Sequence, residues 1–317
     1  MKNKTYFFEV EKCDAKLVRK KYPQAKIFAE PFSKKLLAKC RDAEILCGMV
    51  HSDFSADLLA KLPNLKLVVT RTAGYDHIDL KYLAERKIPA GFVPEYGSHA
   101  IAEHVFALLL ASCRNVLEGE ERTNRDNFSW CGLRGKTLKN KTIGVIGTGR
   151  IGAQVCRIAS DGFLMNVLGY DKFKNPELKK LKNFKYTTLD TLLKNSDFIS
   201  LHLPLFPTTQ HLINSKTIAK MKTGAVLINT ARGGLIDTPA LVKAIKKGKF
   251  ARVALDVIEH ENNLREDREL LHLPRVIITP HIAFFTDETN AKMYSEAFRS
   301  IDEFSKSKKI THEIAGH

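Results

Sequence analysis

Short apolar runs that alternate with helix-period segments predict an α/β chain built from two doubly wound parallel sheets. Three observations carry this expectation. First, an apolar run at 143–146 leads directly into Gly147-x-Gly149-x-x-Gly152, and a helical pattern occupies 151–158. Second, apolar runs recur at 167–170, 198–202, 226–229, 253–257 and 276–278. With the first run these make six strands, the usual number for such a domain. Third, strands expected at 6–10, 45–50, 67–71 and 92–94, with a helix about 33–39, form a second βα series that lacks a phosphate-binding glycine set.

In chain order, residues 1–98 are expected to form a substrate domain. A strongly apolar helix at 101–110 carries apolar residues around most of its surface, which suits burial at a domain or subunit interface. It opens the second domain, 99–285. A long helix at 286–304 begins the segment 286–317, which is expected to return to the first domain, and the stretch from Lys306 to the end is expected to fray. Asp161 and Gly162 are expected only to end a helix.

The glycine motif, with its strand and helix in place, is the Rossmann fingerprint for a dinucleotide. Gly147 permits the tight turn, Gly149 lets a pyrophosphate approach the backbone, and Gly152 lets helix and strand pack closely. Arg150 and Ile151 sit at the helix start, where free N–H groups and the positive dipole end favour phosphate. Asp171 ends the next apolar run, nineteen residues past Gly152. A carboxylate there binds ribose hydroxyls and repels a 2′-phosphate, so NAD is expected over NADP, with Lys172 and Lys174 weakening that preference.

The bulk properties narrow the classes. The chain has 317 residues, 44% hydrophobic and 27% charged, as a soluble globular protein does. No apolar run reaches the ~18–20 residues a membrane span needs. The first ten residues read as a strand rather than a signal peptide. Six scattered cysteines with no C-x-x-C spacing fit a reducing cytoplasm, and no metal site is expected. The net charge of +16 is spread along the chain and mixed with acids, so specific nucleic-acid binding is not expected; the field would draw in a dinucleotide and a small carboxylate.

Ligands bind beyond the carboxyl ends of parallel strands. Past those ends lie Asn229-Thr230-Ala231-Arg232, Asp256 with Glu259, His260 and Glu261, and Thr279-Pro280-His281. Ala73-Gly74 hold the equivalent place in the first domain. A histidine can donate the proton that a carbonyl reduction requires, a carboxylate can fix its tautomer and raise its pKa, and an arginine can grip a substrate carboxylate bidentately. Glu259 and Glu261 compete for the carboxylate role, and spacing favours Glu261.

Several segments together resemble the D-2-hydroxyacid dehydrogenase family, most of all its D-lactate dehydrogenases. They are Thr70 to Asp79, Ala100 to His104, the glycine motif, Tyr170 to Glu177, Ser200 to Pro204, Leu227 to Gly233 and Pro280 to Thr286. The resemblance implies an active-site cleft between two Rossmann-like domains, an NAD cofactor and a likeness to homodimers. It places the catalytic arginine on Arg232, the acid/base on His281 and its paired acid on Glu261. Asp256 matches the residue that meets the nicotinamide carboxamide, and Pro204 and Thr230 are expected to shape the cofactor groove. Ala73 and Gly74 match the backbone donors for the substrate carboxylate, with His51, Tyr96 and Phe284 near the substrate pocket. His99 could join that pocket, whereas His104 is expected to be a packed interface residue.

The implied reaction is NADH-dependent reduction of a small 2-oxo acid, pyruvate foremost, to the D-2-hydroxy acid. Hydroxypyruvate or glyoxylate reduction, phosphoglycerate dehydrogenase activity and an NAD-sensing corepressor-like role are the alternatives. The lack of a regulatory domain past the last helix is expected to disfavour the longer serine-pathway forms. Gly97-Ser98-His99 and Leu164 depart from the family's usual residues, which bears on substrate choice and on the start of the second strand.

Overall fold

A computed structural model describes residues 3–314. The chain divides into two compact units, Met1–Tyr96 together with Thr286–His317, and Gly97–Phe285. The first division falls two residues before the expected one, because Gly97 is already the N-cap of the helix that opens unit 2.

Unit 1 is a five-stranded parallel sheet. Its strands are β1 (Thr5–Phe7), β2 (Lys26–Ile27), β3 (Ile45–Gly48), β4 (Leu67–Thr70) and β5 (Ala90–Gly91), in the order β2-β1-β3-β4-β5. Both faces are covered, so β3 and β4 are buried at every residue and read as continuous apolar runs. The period of two still sorts the side chains. Tyr6, Leu46 and Val68 pack with Phe32, Phe54 and Leu59 on one face. Phe7, Ile45, Cys47, Leu67 and Val69 pack on the other against Tyr294, Phe298 and Ile301 of the Asp287–Ser307 helix. Thr286 caps that helix by accepting from Thr289 N at 3.2 Å, with Asp287 and Glu288 in its first turn.

The strand order reverses between β1 and β3. There Glu9, at φ 54°, turns its carboxylate to accept from Met49 N, His51 N and Ser52 Oγ. This left-handed residue ends β1 at Phe7, short of the expected Val10. Arg71, at the end of β4, is fully buried; it stacks on the Tyr294 ring and donates to the Phe8 and Glu9 carbonyls.

Three expectations fail in unit 1. The helix about 33–39 shrinks to one 3₁₀ turn, Leu37–Lys39, since a segment this short gains too few contacts to hold a regular helix. The strand expected at 92–94 forms instead at Ala90–Gly91. Most clearly, the segment after the last helix does not fray. Glu313 bridges Gly91 antiparallel, Phe92 N donates to His312 O, and Ile314 N donates to Ala90 O, while Ile310 and Ile314 are buried. Residues 315–317 of that expectation lie outside the described residues.

Unit 2 has seven parallel strands rather than six. They are β6 (Thr142–Ile146), β7 (Asn166–Tyr170), β8 (Phe184–Tyr186), β9 (Phe198–Leu201), β10 (Ala225–Asn229), β11 (Phe250–Leu255) and β12 (Val276–Ile278), in the order β12-β11-β10-β9-β6-β7-β8. The missed strand, β8, is a half-exposed edge strand of three residues, with Lys185 at its centre. The Ser98–Arg114 helix is mainly a core element of its own unit. Ala102, Val105, Phe106, Leu109 and Cys113 pack with Ile143, Val145, Val226 and Ala254. Much of its apolar surface thus packs inside the unit. The helix after the glycine motif ends in a π-type turn, Ile158–Gly162, followed by Leu164 at φ 53° with its side chain 47% exposed. A left-handed residue explains why a small side chain would be favoured there. No single helix among the described residues is long and apolar enough to cross a membrane.

His202, just past β9, accepts or donates one hydrogen bond, Nε2 to Ser200 Oγ at 2.8 Å. The residue keeps some exposed surface, but its ring is enclosed, and burial holds its pKa down from 6.5 to about 3. The unfolded chain therefore binds a proton below about pH 6.5 that the folded chain refuses until about pH 3. Stability contributed by the neutral ring is full above that window and lost as pH falls through it. Urea unfolding midpoints measured across the window are expected to fall with pH, and His202→Gln to flatten that fall; an unchanged acid limb in the variant would remove His202 as the cause.

Candidate active site

The glycine loop sits at the end of β6, and the strand order of unit 2 reverses between β6 and β9, where doubly wound sheets take ligands. Gly147 has φ 92°, and a Cβ on it would meet the His202 carbonyl carbon and oxygen. A Cβ on Gly152 would lie 1.9 Å from Gly147 O, so loop and helix can touch only through glycine. Gly149, by contrast, has nothing within 4 Å of a Cβ and opens the Arg150–Arg157 helix as its N-cap. Arg150 lies exposed at the first turn and Ile151 half-buried beside it. A phosphate can therefore approach the backbone N–H groups there.

Asp171 follows β7 directly. Its carboxylate accepts from Thr148 N at 2.6 Å, Thr148 Oγ1 at 3.2 Å and Phe173 N at 2.9 Å, so it also fixes the shape of the glycine loop. Pro204 is exposed after β9, with its carbonyl accepting from Thr209 Oγ1. Thr230, after β10, is buried with its hydroxyl lacking a protein partner. An open glycine cradle, an acid at the neighbouring strand end and an orphan hydroxyl together fit a dinucleotide.

Beyond the cradle, β10, β11 and β12 are adjacent, and each delivers one candidate group past its carboxyl end. Asn229 is fully buried at the end of β10. Its Oδ1 accepts from Ala231 N at 3.0 Å and its Nδ2 donates to Arg232 O at 2.8 Å, which closes the turn that presents Arg232. Gly233 follows because a Cβ there would lie 1.9 Å from Ile258 O. That close approach sets the Arg232 turn against the backbone leading to Glu259 and Glu261.

The three residues Glu259, His260 and Glu261 face three different partners. Glu259 pairs with His211 Nε2 at 2.5 Å and accepts from Thr238 N. Burial raises the Glu259 pKa, but the hydrogen bonds from His211 and Thr238 outweigh it and hold the carboxyl below its usual value. His260 is fastened to buried Asp267, by N–H to Oδ2 at 2.8 Å and by Nδ1 to Oδ1 at 3.1 Å, and its pKa is raised by that hydrogen bond. Glu261 is left to reach His281: its Oε2 lies 2.9 Å from His281 Nδ1. Both side chains are mostly buried, at 23% and 15% exposure. An ionised carboxylate only accepts, so Nδ1 carries the hydrogen.

His281 has φ 54°, an uncommon conformation for a residue with a Cβ. Its N–H donates to Asp256 O at 2.8 Å. The Asp256 side chain has no exposed surface; Oδ1 accepts from Ile282 N and Thr279 Oγ1, and Oδ2 from Ala283 N. The resemblance assigns this carboxylate to the nicotinamide; in the protein it also holds the turn that carries His281. Phe284 is nearly buried, edge-on to the imidazole at 6.2 Å, with Phe285 beside it.

The remaining candidates belong to unit 1, where all follow strand ends. His51 is exposed after β3, exposed Ala73 and half-buried Gly74 follow β4, and Tyr96 follows β5. Thr72 Oγ1 donates to Gly74 O at 2.6 Å and shapes that turn. His99 bonds Gln154 within unit 2. Asn229, Gly233 and Thr279 lie within the segments the sequence offers but carry no assigned role there, and Asp267 is not among them; all four hold the site in place, and a polar residue at the end of an otherwise apolar strand is the signal that Asn229 offers.

A family model described as "D-isomer specific 2-hydroxyacid dehydrogenase, NAD binding domain" matches residues 106–283. The chain is 36% identical over 290 residues to D-lactate dehydrogenase kk1H of Curvularia clavata, covering 87% of this chain and 82% of that one. It is 38% identical over 276 residues to a glyoxylate reductase of Thermofilum pendens, covering 86% and 81%. A solved D-lactate dehydrogenase of Aquifex aeolicus, complexed with NAD and lactic acid, superposes with a TM-score of 0.88 at 38% identity over 95% of each chain.

Proposed function

Because the chain belongs to the D-isomer-specific 2-hydroxyacid dehydrogenase family and is an NAD-dependent oxidoreductase, we propose that it reduces pyruvate to D-lactate. The observation that carries this reading is the 2.9 Å pair of Glu261 and His281, held one strand away from the Arg232 turn.

Gly147, Gly149, Arg150, Ile151 and Gly152 would hold the pyrophosphate, Asp171 the adenosine ribose, and Pro204 and Thr230 the wall of the groove. Reduced nicotinamide, when bound, supplies the hydride. Arg232 grips the 2-oxo acid and polarises its carbonyl, since a guanidinium fork matches carboxylate and keto oxygens together. His281 gives its Nε2 proton to the oxygen as negative charge develops there. Glu261 keeps the ring in the right tautomer and supports its charged form before transfer. Asp256 sets the turn that aims the ring. The N–H groups of Ala73 and Gly74 take the substrate carboxylate, with His51 and Tyr96 nearby in their own unit. Phe284 and Phe285 offer the apolar surface that a methyl group prefers.

The test is spectrophotometric NADH oxidation against a panel of 2-oxo acids, with chiral analysis of the product. Pyruvate is expected to give the highest kcat/KM and the D-isomer. A preference for glyoxylate, the substrate named for the Thermofilum relative, would move the assignment within the family; NADH binding without turnover of any 2-oxo acid would end the enzymatic reading.

The same reading includes a homodimer and a cytoplasmic location. Val116, Leu117, Phe128 and Trp130 are exposed at 54%, 48%, 89% and 82% within one short stretch of unit 2, an apolar surface that favours a partner. All six cysteines are unbridged, as a reducing compartment favours. Sedimentation is expected to give a dimer that the pair Phe128→Glu and Trp130→Glu dissociates; a wild-type monomer would exclude it.

A further inference from the structure

We infer that His104 is a positioning residue for His281, acting through Thr279 and Asp256. The inference rests on the reading that His281 is the acid/base. Its basis is a directed chain of hydrogen bonds within unit 2. Thr279 Oγ1 lies 2.5 Å from Asp256 Oδ1. A carboxylate accepts only, so the single hydroxyl hydrogen of Thr279 is committed to Asp256. His104 Nε2 lies 3.1 Å from the same hydroxyl and 3.5 Å from the same carboxylate oxygen. With the threonine hydrogen spent, His104 must be the donor, which fixes its tautomer with the hydrogen on Nε2.

The chain ends on the catalytic turn. Asp256 Oδ1 also accepts from Ile282 N at 2.9 Å, and Oδ2 from Ala283 N at 2.8 Å. These two residues follow His281 directly, and His281 itself sits at φ 54°. A side-chain-bearing residue in that region persists only where its surroundings hold it. His104 supplies a fixed end. It stands on the Ser98–Arg114 helix one turn before buried Leu108, with a side chain only 19% exposed. A half-buried polar side chain on a largely apolar helix is thereby explained: it ties the helix to the turn that aims the imidazole.

Removing the donor loosens the turn without touching substrate or cofactor. His104→Leu is expected to lower kcat about 10–10²-fold, the scale of a sub-ångström to 1 Å misplacement. The KM for pyruvate and the Kd for NADH stay near wild type. The solvent deuterium isotope effect on kcat rises as proton transfer becomes limiting. Thr279→Val gives the same loss, and the double variant loses no more than either single one, because both break one chain. His104→Gln, whose amide can donate from a similar position, restores most of the turnover. Losses that multiply in the double variant, or a His104→Leu enzyme with full kcat, overturn the inference, as does a lowered melting temperature with kcat and isotope effect unmoved. His281→Gln assayed alongside separates the two claims: if it is inactive while His104→Leu is fully active, only the positioning role falls, and if it is active, the acid/base reading falls instead.

Discussion

His281→Gln is expected to lower turnover of the 2-oxo acid about 10²–10⁴-fold, the usual loss for a general acid–base group, while NADH binds with near wild-type affinity. Glutamine can still donate toward Glu261 and hold the turn, so the fold and the dinucleotide cradle remain. What it lacks is a titratable nitrogen to pass a proton to the developing alkoxide. The expected signature is therefore a fall in kcat, with fluorescence titration of NADH unmoved. Near-normal turnover would remove His281 from the proton-transfer role.

Arg232→Lys is expected to be damaging as well, despite keeping the charge. A lysine ammonium is a point charge, and it cannot present two parallel donors to carboxylate and carbonyl oxygens at once. Losing one charge-assisted hydrogen bond of the fork costs roughly 1.5–3 kcal/mol, which is about 10-fold to 150-fold in kcat/KM. Both kcat and KM should worsen, because the arginine is assigned to grip substrate and to polarise it. The Asn229 bonds to the backbone at 231 and 232 do not depend on the side chain at 232. The variant should therefore melt like the wild type and bind NADH normally. A loss confined to stability, with kcat/KM intact, would reassign Arg232 to a structural role.

The two predictions differ in what they require of neighbours. His281 depends on Glu261, on the buried Asp256 carboxylate and, by the inference above, on His104. Arg232 depends on Asn229 and on Gly233, whose missing side chain admits the Ile258 carbonyl. Asp256, Asn229 and Gly233 are buried, and Glu261 and His104 are half-buried, so packed neighbours hold both groups.

Legibility followed the physics of each element. The central strands β6, β9, β10 and β11 were visible because burial on both faces demands uninterrupted apolar residues. The edge strands β2 and β8 were not, since Lys26 and Lys185 point to solvent and break the pattern. The end of the chain read as a charged tail, yet Ile310 and Ile314 are buried and the backbone joins β5. Two isolated apolar residues among polar ones carry no periodic signal. Glu261 was favoured over Glu259 by spacing; the structure supplies the cause, since Glu259 is taken by His211 and Thr238.

The sequence by itself determined the class of the fold, the family and the dinucleotide cradle, because these rest on local rules: period-two burial, glycine where a Cβ cannot fit, and short motifs in fixed order. Tertiary structure alone decided which polar groups spend themselves on one another. Hydrogen bonding between residues such as Asp256 and Thr279, or His104 and Thr279, depends on where separate strands and helices come to rest. A buried carboxylate takes whatever donors the packed turn brings to it, and no pattern along the chain encodes that choice.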